Sequence, residues 1–246
     1  MEHIQFWAKD VLASYGKFSV SKISFYLKSS DILGIVGRSG SGKSTLIKTL
    51  IGIKKPDSGE IIAAINREHV LLREVVGYSP QENSLYPFLT VEENLKTFGQ
   101  LYGLDKSTIK NQIDLLLKRL DLEGSREKRI VQLSGGMQKR ADLAVSLIHS
   151  PKIIILDEPF AGLDISLQTF IWKFLRELSK EGNIIIVSSH MIEDVQKYCN
   201  QFGLVEQGLY YNTSQISRTL KTSKEKNLES YLEKLFMRDL TKHKVR

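Results

Sequence analysis

Residues Gly34–Leu46 read GIVGRSGSGKSTL. An apolar strand runs into Gly37, Arg38, Ser39, Gly40, Ser41 and Gly42. Lys43, Ser44 and Thr45 then open a helical pattern. Glycines let a backbone curl so that several N–H groups point inward as a nest for phosphate oxygens. The helix that follows aims its positive end at the same place. Lys43 adds a mobile charge for β- and γ-phosphates, Ser44 a hydroxyl for Mg²⁺, and Thr45 a further phosphate contact. A plain Gly/Ser turn with a surface lysine leaves this order unexplained. The loop alone does not separate ATP from GTP, and it names no reaction.

A second stretch, KIIILDEPFAGLD (Lys152–Asp164), places two acids after an apolar strand. In an α/β sheet the C-terminal strand ends face the phosphate loop. Asp157 is then placed to hold Mg²⁺, sharing that duty with Ser44. Glu158 is placed to orient or deprotonate a water in line with the γ-phosphate. Two surface acids ending a strand are the plain alternative; a helix cap accounts for one of them and not both.

Between these lies Leu133-Ser134-Gly135-Gly136, followed by Gln138 and Arg140. A serine and two glycines at a helix start form a second candidate anion site. One nucleotide needs only one such site, and dimerisation explains the second. The run resembles the signature sequence of the ABC (ATP-binding cassette) ATPases. The resemblance implies ATP as nucleotide and two cassettes packed head to tail, as a homodimer or with a paired ATPase subunit. Ser134, Gly135 and Gly136 of one chain then serve the γ-phosphate held by the other. Gln81, in YSPQ, resembles the Q-loop glutamine that senses Mg²⁺ and γ-phosphate. Ala161-Gly162-Leu163-Asp164 resembles the D-loop at the dimer seam, and His190 the switch histidine on the γ-phosphate. The implied catalytic set is Glu158, His190, Gln81 and Asp157, with Ser44, Gln81 and Asp157 at the metal. Tyr15 resembles the ring that stacks on adenine; Phe18 and Tyr26 are nearby aromatics for the same role.

The stretch SLYPFLTVEENLKTFGQLYGL and the terminal LESYLEKLFMRDLT resemble the exporter branch, in which the ATPase is a separate subunit. The resemblance implies an integral-membrane permease docked at about Asn83–Phe88, with Tyr86 and Phe88 either exposed anchors or buried in a hinge. It implies a cytoplasmic chain held peripherally on the inner face of the cell membrane through that permease. An importer ATPase is the alternative, as is a soluble relative working in cofactor assembly or on nucleic acid. Long coiled-coil inserts and a second cassette are missing, so no nucleic-acid partner is expected. Three departures stand out: Ser30-Asp31 replaces a common Gly-Glu pair, Ala63–Glu74 breaks the usual pattern, and Asp142 occupies a usually apolar helix position. Asp142 reads as a cap or as an ion pair with Lys139 or Arg140, apart from the chemistry.

The elements needed to position these groups follow from periodicity. Strands are expected at Phe18–Leu27, Ile32–Val36, Glu60–Ala63, Val75–Ser79, Ile153–Leu156 and Ile184–Val187, and a hairpin over Gly203–Tyr211 turning at Gln207-Gly208. Helices are expected at Lys43–Ile51, at Val91–Leu101 after a Thr90/Glu93 capping pair, after a Ser107 cap, at Met137–Ile148 and at Leu167–Ser179. The fold class is α/β: a P-loop NTPase core of mixed or parallel sheet covered by helices, a small antiparallel β part and a nested helical subdomain. Residues 1–212 form the ATPase domain, with the helical subdomain at about 84–150. Residues 213–246 form a basic tail whose amphipathic helix, with Leu228, Tyr231, Leu232, Leu235, Phe236 and Leu240 on one face, packs on the core or lies on a membrane.

The bulk properties agree with a globular ATPase. The lone Cys199 excludes an intrachain disulfide or a cysteine metal cluster. The longest apolar runs are far too short to cross a bilayer. The net charge of +7 is concentrated after Thr213, where no aromatic-interleaved groove accompanies it; a solvated surface accounts for it.

Overall fold

The computed structural model describes residues 2–16 and 18–222. In chain order it builds β1 (Ile4–Tyr15), β2 (Phe18–Lys28), β3 (Ile32–Val36), α1 (Lys43–Leu50), β4 (Ser58–Ile65), β5 (Glu68–Val70), α2 (Leu72–Val75) and β6 (Val76–Ser79). Three helices follow with no strand between them: α3 (Val91–Leu101), α4 (Lys106–Arg119) and α5 (Gly135–Leu147). The chain then alternates through β7 (Ile153–Leu156), α6 (Ile165–Lys180), β8 (Ile184–Ser189), α7 (Ile192–Tyr198), β9 (Gln201–Glu206), β10 (Leu209–Asn212) and α8 (Thr213–Thr222).

The strands line up in the order β5-β4-β1-β2-β10-β9-β3-β8-β7-β6. The half containing β9, β3, β8, β7 and β6 is parallel. The half containing β5, β4, β1 and β2 is antiparallel. Successive side chains on a strand point to opposite faces, and in the parallel half both faces are covered. Leu33, Ile35, Ile153, Ile155, Ile184 and Ile186 enter one core with α1. Ile32, Val36, Ile154, Leu156, Ile185 and Val187 enter the other, with α3 to α6. The continuous apolar runs are thus explained by two-sided burial. The C-terminal ends of β3, β6, β7 and β8 lie on one edge, where the chemically interesting residues collect.

Several boundaries differ from expectation. Residues 4–15, not anticipated as a strand, form β1. The helix assigned a Ser107 cap begins two residues earlier: Asp105 is the cap, and its carboxylate accepts from the N–H groups of Ser107 and Thr108. Hydroxyl hydrogen bonds from the same two residues hold that carboxyl far below its usual range. The helices expected from Met137 and Leu167 begin at Gly135 and Ile165, behind Ser134 and Asp164 as N-caps. Val75 ends α2 rather than opening β6. The unplaced stretch 63–74 finishes β4, turns at Asn66 and Arg67, both at positive φ (52° and 71°), and returns as β5. Two positive φ values are the type I′ pattern that suits a tight hairpin. The Thr90/Glu93 capping box forms, as does the hairpin at Gln207-Gly208. The proposed helix over Leu228–Leu240, and most of the basic tail, lie outside the described residues.

Candidate active site

The loop between β3 and α1 forms the floor of a cleft of about 470 Å³. Gly42 is the residue that turns the chain into α1. Its φ of 106° is left-handed, and a Cβ there would strike Val20 and Phe18 at 2.4 and 2.5 Å. No side chain caps α1, so its first N–H groups are directed at the loop. Lys43 is buried beneath them. Its Nζ donates to the carbonyls of Gly37 (2.8 Å) and Arg38 (3.1 Å) and sits 3.2 Å from Glu158 Oε1.

Ser39, Gly40, Ser44, Thr45, Gln81, Glu158 and His190 line this cleft with Lys43, and Tyr15 and Phe18 form its outer wall. The Tyr15 ring is 69% exposed, with Lys48 Nζ 5.7 Å from its centroid. Tyr26 instead faces a different hollow, beside Trp7. Ser41 Oγ is buried in the loop without a hydrogen-bond partner. That hydroxyl does not line the cleft, and the Ser41 N–H is taken by the Arg38 carbonyl; the uncapped start of α1 and the Lys43 ammonium are the donors suited to an oligophosphate.

The acids follow β7. Asp157 is buried; its N–H donates to the Ser79 carbonyl (2.9 Å) and its Oδ1 accepts from Ser188 Oγ (2.6 Å). Ser188 Oγ also accepts from the N–H of Glu158 (2.8 Å). Glu158 has φ 46°, a left-handed conformation unusual for a residue with a side chain. The turn directs its carboxylate into the cleft, between Lys43 and His190, whose Nδ1 is 3.7 Å from Glu158 Oε2. One serine hydroxyl therefore fixes both acids, and nothing in its position within an apolar run singles it out. Among the described residues no cluster of three or more His, Cys, Asp or Glu forms a cation cage. Mg²⁺ binds through one or two carboxylates plus phosphates and water; Ser44 lines the cleft, whereas Asp157 lies buried behind it with Oδ1 taken by Ser188.

The second glycine pair lies elsewhere on the chain. Ser134, Gly136 and Asp164 line a separate cleft of about 450 Å³. Ser134 Oγ accepts from Met137 N–H (3.3 Å), and Asp164 Oδ1 from Leu167 N–H (2.9 Å). The starts of α5 and α6 thus open on one hollow, and none of Ser134, Gly135 or Gly136 lines the Lys43 cleft.

Gln81 follows β6 in a loop held from α5. Asp142 is buried and accepts from Ser79 Oγ, Ser84 N–H and Ser84 Oγ, and it pairs with Lys139. The ion pair is with Lys139 and not Arg140, which reaches Asp121 instead. Asp142 lines neither cleft and reaches the Gln81 loop through Ser79 and Ser84. Burial, with the Asp157 and Asp142 charges behind it, pushes the Tyr78 hydroxyl up to about 12. Further along the loop, Phe88 is 73% exposed, and Tyr86 packs on Phe98 with ring centroids 5.8 Å apart. No described helix is long and apolar enough to cross a membrane.

Comparison with known proteins gives these features a family. The profile described as ABC transporter matches residues 20–161. The linearmycin resistance ATP-binding protein LnrL of Bacillus subtilis (strain 168) is 35% identical over 205 residues, covering 82% of this chain and 66% of that protein. The Nod factor export ATP-binding protein I of Paraburkholderia xenovorans (strain LB400) is 36% identical over 202 residues, covering 80% and 66%. The chain therefore spans about two thirds of the length of these curated relatives. A solved structure described as the ATP-binding subunit of an ABC transporter superposes with a TM-score of 0.79 at 26% identity, covering 93% of this chain and 98% of that one.

Proposed function

Since the chain belongs to the ABC transporter family, we propose that it is an ATPase subunit that dimerises around two ATP-Mg and drives export through a separate membrane permease. The observation that carries the reading is the Lys43–Glu158–His190 grouping at the mouth of the phosphate loop. It joins a phosphate-binding cation, a base and a switch group in one cleft. The export-protein relatives support the direction of transport, and exposed Phe88 suits an aromatic anchor for a permease.

The chain's own residues divide the work. The N–H groups of Gly40, Gly42 and Lys43 hold the phosphates, with Ser41 shaping the loop behind them, and Tyr15 stacks on the base. Ser44 and Asp157, with Gln81, would hold Mg²⁺, which would supply charge neutralisation at the phosphates. Lys43 exchanges Glu158 for phosphate oxygens, which frees the carboxylate. Glu158 orients a water and accepts its proton as the water oxygen bonds to the γ-phosphorus and the bond to the β–γ bridging oxygen breaks, leaving ADP and phosphate. His190 donates to a γ-phosphate oxygen and so reports whether that phosphate is still attached. Ser134, Gly135 and Gly136 complete the pocket of the opposite chain, with Asp164 at the seam.

Glu158→Gln tests this directly. It keeps the shape and removes the base, so hydrolysis should fall about 10²- to 10⁴-fold, and ATP-Mg should hold the variant as a dimer in light-scattering chromatography. Normal turnover, or a monomer with ATP-Mg, refutes the mechanism. Purification of the native complex in detergent without a multi-span membrane protein refutes the transport role.

A further inference from the structure

We infer that Asp142, with Lys139, is a positioning residue for Gln81: it fastens both ends of the segment 79–84 to helix α5, so that the helix begun by Ser134 and the loop carrying Gln81 move as one piece. The inference rests on the proposed ATPase function for its consequence, and on geometry for its existence.

Asp142 is 1% exposed. One carboxylate oxygen accepts from Ser79 Oγ (2.5 Å) at the end of β6. The other accepts from both N–H (2.9 Å) and Oγ (3.0 Å) of Ser84. Lys139, one turn earlier on α5, donates to Ser79 Oγ (3.1 Å) and to the Pro80 carbonyl (3.0 Å), and lies 3.6 Å from Asp142 Oδ2. Gln81 sits between these anchors and lines the nucleotide cleft. The Ser79 carbonyl in turn accepts from Asp157 N–H, so the same clamp touches the backbone of the metal-side acid.

Helix α5 reaches this close because Gly77 has no side chain. A Cβ there would lie 2.2 Å from the Ser146 carbonyl. Burying an ion pair costs several kcal/mol of desolvation, and apolar residues of similar volume often stabilise as well or better. The pull of burial is visible in the Lys139 ammonium, which is shifted down although Asp142 opposes the shift. A buried carboxylate that accepts from two points of one loop fixes that loop's position, which an apolar side chain cannot do.

Two measurements on the full chain decide the matter. The first is hydrogen exchange without nucleotide, comparing wild type with Asp142→Asn and with the double variant Lys139→Met/Asp142→Leu. The Ser84 amide should exchange about ten-fold faster or more, while those of α1 and β7 stay within about two-fold. Uniform acceleration everywhere means a general stability role and overturns the inference, as does unchanged exchange at Ser84. The second is a double-mutant cycle on kcat. Asp142→Asn should lower kcat about ten-fold alone and less than two-fold in a Gln81→Ala background, because the two residues act through one another. Equal factors in both backgrounds overturn the inference. A wild-type chain that hydrolyses no ATP refutes the proposed function instead, and the exchange measurement still decides whether Asp142 positions the loop.

Discussion

Ser188→Ala removes one oxygen and should disturb the site more than its size suggests. Ser188 is fully buried at the end of β8. Its hydroxyl donates to Asp157 Oδ1 and accepts from the N–H of Glu158. The first bond is charge-assisted, worth about 1.5–3 kcal/mol, and losing the second leaves a buried N–H unsatisfied at about 1–3 kcal/mol. No other fixed group in the described residues is bonded to that N–H, and Glu158 sits at φ 46°, a conformation its surroundings must enforce. The sum is about 2.5–6 kcal/mol, a large share of the ~5–15 kcal/mol that holds a typical domain together. At about 2–4 °C per kcal/mol for a chain of this size, the melting temperature should fall by about 5–24 °C. Asp157 and Glu158 would also lose their common tether, so ATPase turnover should fall while the half-saturating Mg²⁺ concentration rises. Thermal unfolding and a Mg²⁺ titration of turnover measure both. Ser188→Thr, which keeps the hydroxyl, should retain most of the activity. A Ser188→Ala chain that melts within 3 °C of wild type and turns over normally would show that the serine bridge holds neither acid.

Two other outcomes follow from the same geometry. Lys43→Met removes a cation that serves two carbonyls and Glu158; the chain should fold, yet bind ATP-Mg about ten- to a hundred-fold more weakly by calorimetry. His149 is half-buried against Tyr102, with ring centroids 3.7 Å apart, its Nε2 on the Val76 carbonyl, and desolvation pulls its pKa from 6.5 down to about 4. The unfolded chain takes up that proton first as pH falls, so stability present above pH 6.5 is lost progressively down to about pH 4, by about 3 kcal/mol in all. Urea midpoints at pH 7 and pH 4.5 should converge more in His149→Gln than in wild type, and equal slopes would remove His149 from the account.

The phosphate loop, the acid pair and the parallel core were legible because each rests on short-range chemistry or on an unbroken pattern. Strand β1 was not, because its alternation is interrupted. The pairing with β2 shifts register between Ala8 and Val11 and again between Val11 and Ala13, and Asp10 stands at positive φ. A period-2 search loses phase at such bulges. The α4 cap was misplaced because Asp105 and Ser107 are both good caps, and only three-dimensional geometry shows which side-chain oxygen accepts from the Thr108 N–H. Ser188 and Asp142 were illegible as site elements for a different reason. Ser188 meets Asp157 across 31 positions of chain, and Asp142 meets Ser79 across 63. No local pattern encodes a partner that far away.

The distribution of the two clefts bears on how a dimer would work. Lys43, Glu158 and His190 gather in one cleft within one chain, whereas the starts of α5 and α6 open on a hollow that contains none of them. On the proposed function, nucleotide must therefore recruit the second cleft from another chain, and closure must be felt by the first. Helix α5 offers a path for that. It begins at Ser134, and about two turns further on its Asp142 holds the loop of Gln81, while Ser79 passes the contact to Asp157. A partner's phosphate pressing on Ser134 would then move Gln81 by displacing a helix, with no change in any covalent or ionised group. That account requires α5 to shift as a rigid body, which its tight seat on Gly77 favours. Closure at one nucleotide would thereby be reported to the other through the buried carboxylate of Asp142.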